Sequence, residues 1–214
     1  MSRTYVYIDG FNLYNRALKG TPYKWLDLNA LCCLLLPPPE FEICRIRYFT
    51  ARVIPNMFDP EQTIRQDIYL RALRTLADVQ IHFGTFLLKS APRIVADKPL
   101  KGDRSWNTVR VQLPEEKGSD VNLASYLLCD GFSGRFDTAA LITSDSDFIE
   151  PIRMVRDTLG KRVIVFSPSG RCQKLRDLLK EDVKTKWVKA IRRSQFPVEL
   201  RDSKGMFSKP KDWE

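Results

Sequence analysis

The sequence predicts an α/β chain with a central, mainly parallel sheet whose strands alternate with helices, and a basic C-terminal extension. Three observations predict it. Short apolar runs rich in β-formers (Tyr5–Ile8, Val79–Phe86, Thr138–Thr143, Arg162–Phe166) are separated by helical stretches, the alternation that parallel strands need for their crossovers. Aspartates follow two of these runs at Asp9, Asp145 and Asp147, where a strand would hand over to a helix. At 214 residues and 43% hydrophobic content the chain can bury a sizeable core.

Taken in order, Tyr5–Ile8 reads as a buried strand stopped at Asp9-Gly10, with Gly10 permitting a sharp turn and a helix from Asn12 onward. Trp25–Leu36 is a second helical stretch closed by Pro37-Pro38-Pro39, and Glu42–Ile54 is a long β-rich run. Asp59-Pro60-Glu61 opens a helix with Asp59 as N-cap and Pro60 in its first position. Its apolar face is Ile64, Ile68, Leu70, Leu73 and Leu76. After the strand Val79–Phe86, residues 89–117 look irregular and basic, a surface excursion or hairpin. Regular alternation then returns: helix 120–130, strand Thr138–Thr143, helix Phe148–Leu159, strand Arg162–Phe166 and helix Gln173–Lys180. From Arg192 the chain is polar with little periodicity. The organisation expected is one domain over residues 1–183 and a basic extension over 184–214, loosely packed and partly disordered.

Charge is unevenly distributed. The net charge is +9, yet residues 1–150 carry 18 Lys+Arg against 18 Asp+Glu, while 151–214 carry 17 against 8. A neutral body with acids at fixed points and a basic end suits a site that holds cations and attracts phosphate. Five cysteines without a CxxC pair point to free thiols, four of them in apolar surroundings, and to a reducing compartment. No apolar run approaches the roughly 18 residues that a membrane helix needs. Met1-Ser2-Arg3-Thr4 runs straight into the first strand, so the expectation is a cytoplasmic protein without membrane contact.

In open parallel sheets ligands bind beyond the carboxyl ends of the strands. Asp9, Asp120, Asp145 and Asp147 can all reach that edge. Any one of them reads equally well as a helix N-cap, but several carboxylates together repel each other unless a cation sits among them. Oxygen-only ligands select a hard ion, Mg²⁺ or Mn²⁺. Asn12 is placed to fix a carboxylate or a phosphate. In Ser144-Asp145-Ser146-Asp147 one acid can face the site while the other, taken as Asp147, caps the next helix. In Lys117-Gly118-Ser119-Asp120, Lys117 is either a phosphate contact or a solvated loop lysine. Arg171 and Lys174 stand at a helix start, where their charge opposes the dipole and an anionic partner would explain them. His82, the only histidine, excludes a His-rich metal site and reads as structural, and P-loop and dinucleotide motifs are absent.

Asp9-Gly10-x-Asn12, Lys117-Gly118-Ser119-Asp120-Val121 and Ser144-Asp145-Ser146-Asp147-Phe148 with Pro151 following resemble, in that order and over about residues 4–168, the NYN domain, the LabA-like branch of the PIN-like nucleases. The resemblance implies a three-layer α/β/α fold. It also implies a Mg²⁺ or Mn²⁺ site built from Asp9, Asp120, Asp145 and Asp147 with Asn12 as polar helper, and hydrolysis of single-stranded or structured RNA to a 5′-phosphate product. It leaves a homodimer open. Some members carry a further acid where this chain has Tyr126. Two rivals remain at this point. One is a non-catalytic RNA- or protein-binding module of the same fold. The other is a haloacid-dehalogenase-like phosphatase, which needs a second aspartate where Phe11 stands.

Overall fold

The computed structural model describes residues 1–55, 58–94, 108–170 and 172–213. In chain order the elements are β1 (Ser2–Asp9), α1 (Gly10–Leu13) running into a π-turn at Tyr14–Leu18, α2 (Leu28–Leu35), β2 (Phe41–Ala51), α3 (Gln62–Leu73), β3 (Val79–Ile94) and β4 (Thr108–Lys117). They continue with α4 (Ser119–Phe132), β5 (Thr138–Ile142), α5 (Ile149–Arg153) with a π-turn at Met154–Thr158, β6 (Arg162–Phe166), α6 (Gln173–Leu179), β7 (Val183–Lys184), α7 (Val188–Arg193), β8 (Glu199–Asp202) and β9 (Gly205–Ser208).

Among the described residues β1–β7 form one sheet in the order β4-β3-β2-β1-β5-β6-β7, parallel throughout except for the antiparallel pair β3–β4. Because side chains alternate along a strand, each face has its own core. Val6, Ile8, Ile46, Ala140, Ile142 and Ile164 pack with residues of α2, α3 and α7 on one side. Tyr7, Phe49, Ala139, Leu141, Val163 and Val165 pack with residues of α4, α5 and α6 on the other. Covered on both faces, β5 is buried at every position, which is why its sequence is an unbroken apolar run after Thr138. The expected three-layer α/β/α arrangement is the one observed.

The order also places the site. The chain leaves β1 toward β2, β3 and β4, then returns to the other side of β1 as β5. Connections from β1 and β5 therefore diverge at their carboxyl ends and open a crevice between them.

Several local expectations are corrected. Of the two readings of the basic stretch, surface excursion or hairpin, the structure has the hairpin, and it is regular rather than irregular, because β3 runs on to Ile94 and pairs with β4 from Thr85↔Lys117 to Ile94↔Thr108; residues 95–107 lie outside the described residues. Helix α3 starts at Gln62 rather than Pro60, and Asp59 accepts a salt bridge from Arg65 instead of capping it. The buried face of α3 is Tyr69, Leu70, Ala72 and Leu73, leaving Ile64 59% exposed. Of the five free cysteines only Cys32 and Cys172 are buried. Among the described residues no helix is long and apolar enough to cross a membrane.

The C-terminal extension is not loose. Phe196 N donates to Trp25 O (2.9 Å), Trp25 Nε1 to Pro197 O (2.8 Å) and Asp27 N to Ser194 O (2.8 Å). Arg71 pairs with Asp202 in the β8–β9 hairpin and Arg65 with Asp212. Trp187, Ile191, Phe196 and Trp213 are buried in the same core as α2 and α3. Periodicity could not show this, since these anchors sit at irregular spacing and are ordered by tertiary contact alone.

Candidate metal and nucleic-acid site

Asp9 ends β1 and is 7% exposed. One carboxylate oxygen accepts the Asn12 backbone N–H (3.0 Å), capping α1, and the other accepts the Thr143 hydroxyl (3.1 Å). The same Thr143 oxygen accepts the Asp145 N–H (3.1 Å), and Asp145 Oδ1 accepts the Asp147 N–H (2.9 Å). Asn12 Oδ1 accepts both the N–H and the hydroxyl of Ser144, at 3.1 and 2.7 Å. The loops after β1 and β5 are thus stitched together by Thr143 and Asn12, holding Asp9 and Asp145 toward one crevice. Gly10 is required for close approach rather than for a turn, since a Cβ there would lie 2.7 Å from the Phe49 carbonyl oxygen and from the Tyr48 ring.

The third wall is the corner from β4 to α4. Gly118 adopts a left-handed φ of +95°, a conformation that disfavours a side chain, and this turn starts α4 with Asp120 in its first turn. Glu116 Oε1 accepts the Ser119 N–H (3.1 Å). The resulting cleft of about 290 Å³ is lined by Asp9, Glu116, Asp120 and Asp145, by Asn12, Asn15 and Ser119, and by Phe11 and Arg16. Asn15 and Arg16 arrive on the π-turn after α1, a widened turn of the kind often found at functional sites.

Burial pushes the Asp9 carboxyl up to about 6; Asp120 and Asp145 add to this, while the bonds from Asn12 and Thr143 oppose it. Asp120 is raised as well, by burial first and then by Asp145, Glu116 and Asp147. No Lys or Arg makes a salt bridge to Asp9, Glu116, Asp120 or Asp145 among the described residues. Also among them, no three Asp, Glu, His or Cys side chains are grouped tightly enough to form a ready-made metal cage. The donor set nonetheless fits a hydrated hard cation, which typically keeps several waters and takes only one or two carboxylates. The Ser119 hydroxyl, buried in the cleft wall without a hydrogen-bond partner among the described residues, suits the same occupant.

The remaining sequence candidates fall elsewhere. Asp147 is exposed in the short turn Ser146–Phe148, and the cap there is Asp145, the reverse of the assignment the sequence suggested. Lys117 pairs with Glu115 (3.6 Å), which also holds Lys89. Strand alternation puts residues 115 and 117 on the face of β4 opposite Glu116. Lys174 is exposed on α6 and lines an adjoining cleft of about 440 Å³ with Ser144 and Ser146. Arg171 lies outside the described residues. Sequence reasoning missed Glu116, Asn15 and Arg16. Taking 108–117 as a strand would have flagged Glu116, because the residue before Lys117 then shares a side with Phe86, its cross-strand partner. Tyr126, where some members carry an acid, packs instead on His82 (4.2 Å between centroids) and beneath Arg47.

Known proteins resemble this chain at three levels. A solved structure, a protein of unknown function from Vibrio parahaemolyticus, superposes with a TM-score of 0.52 at 15% identity, covering 84% of this chain and 90% of that one, and so shares the fold. A 6-hydroxy-3-succinoylpyridine 3-monooxygenase from Pseudomonas putida is 33% identical over 187 residues, 78% of this chain. The chain spans 60% of the length of that curated relative. The family model for the NYN domain matches residues 3–184, nearly the whole sheet and all three walls of the acidic cleft. With its aspartates brought to the switch point of a mostly parallel sheet, this chain belongs to the NYN domain family, within the PIN-like nuclease superfamily.

Proposed function

We propose that the protein is a metal-dependent ribonuclease whose centre is the cleft between β1, β5 and the start of α4. One observation carries the reading: four carboxylates, those of Asp9, Glu116, Asp120 and Asp145, line one cleft with no basic ion-pair partner among the described residues. Such charge raises the energy of the free protein and is relieved by a divalent cation. Asp9, Asp120 and Asp145 would hold Mg²⁺ or Mn²⁺, with Glu116 beside them and Asp147 at the outer margin. When bound, the ion supplies a nucleophilic water at neutral pH and stabilises the leaving 3′-oxygen.

The chain's own residues do the rest. Arg16 and Asn15 face the cleft and receive the phosphate, Arg16 being without a salt bridge among the described residues. Asn12 and Thr143 are positioning residues that keep the Asp145 loop against Asp9. Lys174, with Arg171 near it in sequence, offers positive charge to the strand beyond the cut bond, across Ser144 and Ser146. Lys117 is occupied by Glu115 and is assigned no contact with the phosphate.

Purified protein incubated with labelled RNA and DNA in Mn²⁺, Mg²⁺ or chelator is expected to cleave RNA in a chelator-sensitive manner. Asp145→Asn should lower the rate at least about 100-fold, the scale of losing several kcal/mol of transition-state stabilisation. Cleavage that ignores chelator, or survives the substitution, overturns the reading. A second reading is favoured by the 33% identity to the pyridine monooxygenase: ring hydroxylation of a heteroaromatic acid. Hydroxylation of 6-hydroxy-3-succinoylpyridine with dioxygen and a two-electron reductant, in a preparation that leaves RNA intact, would replace the nuclease.

A further inference from the structure

Next to the acidic cleft, and distinct from the cleft lined by Lys174, lies a third space, of about 440 Å³, that the proposed chemistry does not use. Its aromatic wall is Phe11, Tyr14, Tyr48, Tyr69, Phe86 and Trp213. Phe11 and Asn15 line both spaces, so the cavity adjoins the cleft that holds the carboxylates. Protein interiors are packed close to the density of organic crystals, and a space of this size lies in the range of ligand sites rather than of packing defects.

The wall is fixed before any ligand arrives. Phe11 and Phe86 meet edge to face with centroids 5.5 Å apart, and Trp213 is held edge to face by Tyr69 (5.9 Å) and Trp25 (6.3 Å). Trp213 comes from the extension beyond the segment matched by the family model, which thereby completes the cavity. Charge is available too. Arg65 is neutralised by Asp59 and Asp212, but Lys19 and Lys24, which also line the cavity, make no salt bridge among the described residues. An occupant with a flat π-system and an attached anion fits this combination, because aromatic walls bind ring faces and lysines bind phosphate.

We propose that the cavity holds the nucleobase of the nucleotide adjoining the cut phosphate, so that base identity as well as backbone charge selects the substrate. The assignment of that phosphate rests on the ribonuclease reading; the base-binding cavity itself is tested apart from it. Binding of the four nucleoside 5′-monophosphates and of ribose 5-phosphate to the full chain is measured by calorimetry without metal. At least one mononucleotide should bind about tenfold tighter than ribose 5-phosphate, the scale of one stacked base. Tyr14→Ala should abolish that margin; Tyr14 is 37% exposed, so its truncation leaves the core in place, which a melting curve verifies. Lys24→Gln should weaken all five ligands alike. Equal binding of mononucleotides and ribose 5-phosphate, or a margin that survives Tyr14→Ala, overturns the proposal, as does tight binding of 6-hydroxy-3-succinoylpyridine with none of the mononucleotides. Base-selective binding in a protein that cuts no RNA retains the cavity and overturns the nuclease; chelator-sensitive cleavage without base selectivity does the opposite.

Discussion

Helix α4 carries an aspartate near each end, and the two are treated in opposite ways. Asp130, near its C-terminus, is fully buried and accepts Arg47 Nε (2.7 Å) and Nη2 (3.0 Å), the Tyr7 hydroxyl (2.9 Å) and Arg135 Nη1 (2.9 Å). Asp120, at the N-terminus, lines a cleft with Asp9, Glu116 and Asp145, and none of the four carboxylates has a Lys or Arg salt-bridge partner among the described residues. Buried charge is tolerable only when paired and hydrogen-bonded. The paired end stabilises the fold, whereas the unpaired Asp120 is solvent-exposed, where water carries its charge, and on the proposed reading that charge serves a ligand.

Substitutions at the two ends should therefore separate stability from activity. The largest effect is expected for Asp130→Ala, which strands the Arg47 guanidinium in the core and costs about 3–5 kcal/mol by denaturant unfolding. The rate per folded molecule should hardly change. A loss of activity larger than the loss of folded protein would break the contrast. Asp9→Asn should do the reverse. Asparagine still caps α1 and no longer buries a charge, so the variant gains about 1–2 kcal/mol at neutral pH without metal while cleavage collapses. Added Mn²⁺ should raise the melting temperature of the parent and leave this variant where it is. Glu116→Gln keeps an acceptor for the Ser119 N–H and removes one charge. A shift of about tenfold in the Mn²⁺ needed for half-maximal rate is expected, and an unchanged Mn²⁺ titration would take Glu116 out of the site.

The smallest effect concerns His82, which belongs to the stabilising end. It stacks on Phe49 (4.8 Å, 16° between planes) and faces Arg47 Nη1 at 3.2 Å. Burial, then the Arg47 charge, pushes it down from 6.5 to about 4. Folding therefore favours the neutral ring, and its contribution is complete above pH about 6.5 and lost as the pH falls toward 4. His82→Gln should flatten the stability profile across that window without altering the profile above it; identical profiles from the two proteins at pH 4–6.5 would remove His82 from the account.

Strand–helix alternation and the three aspartate-bearing motifs were legible because each depends on local pattern. Asp9 and Asp145 are the instructive pair. Read singly they were as consistent with helix caps as with ligands, and in the structure each caps a turn with one oxygen while facing the cleft. The two readings are compatible, because each carboxylate oxygen carries more than one lone pair: Asp9 accepts from Asn12 and Thr143 and still lines the cleft. Lys117 and Glu116 show the opposite lesson. Without the strand assignment for 108–117 the alternation of faces was invisible, so the lysine was left between a phosphate contact and a solvated side chain, and the acid beside it was passed over.

By itself the sequence determined the layer architecture, the acids available at strand ends and the excess of positive charge after residue 150, since periodicity and composition act over a few residues. Tertiary structure alone decided which face of β4 meets the cleft, that Thr143 and Asn12 tie two distant loops together, and that Trp213 closes an aromatic cavity near Phe11. Those outcomes depend on strand register and on packing between residues more than a hundred positions apart, where burial of apolar surface selects the partners and no local pattern names them.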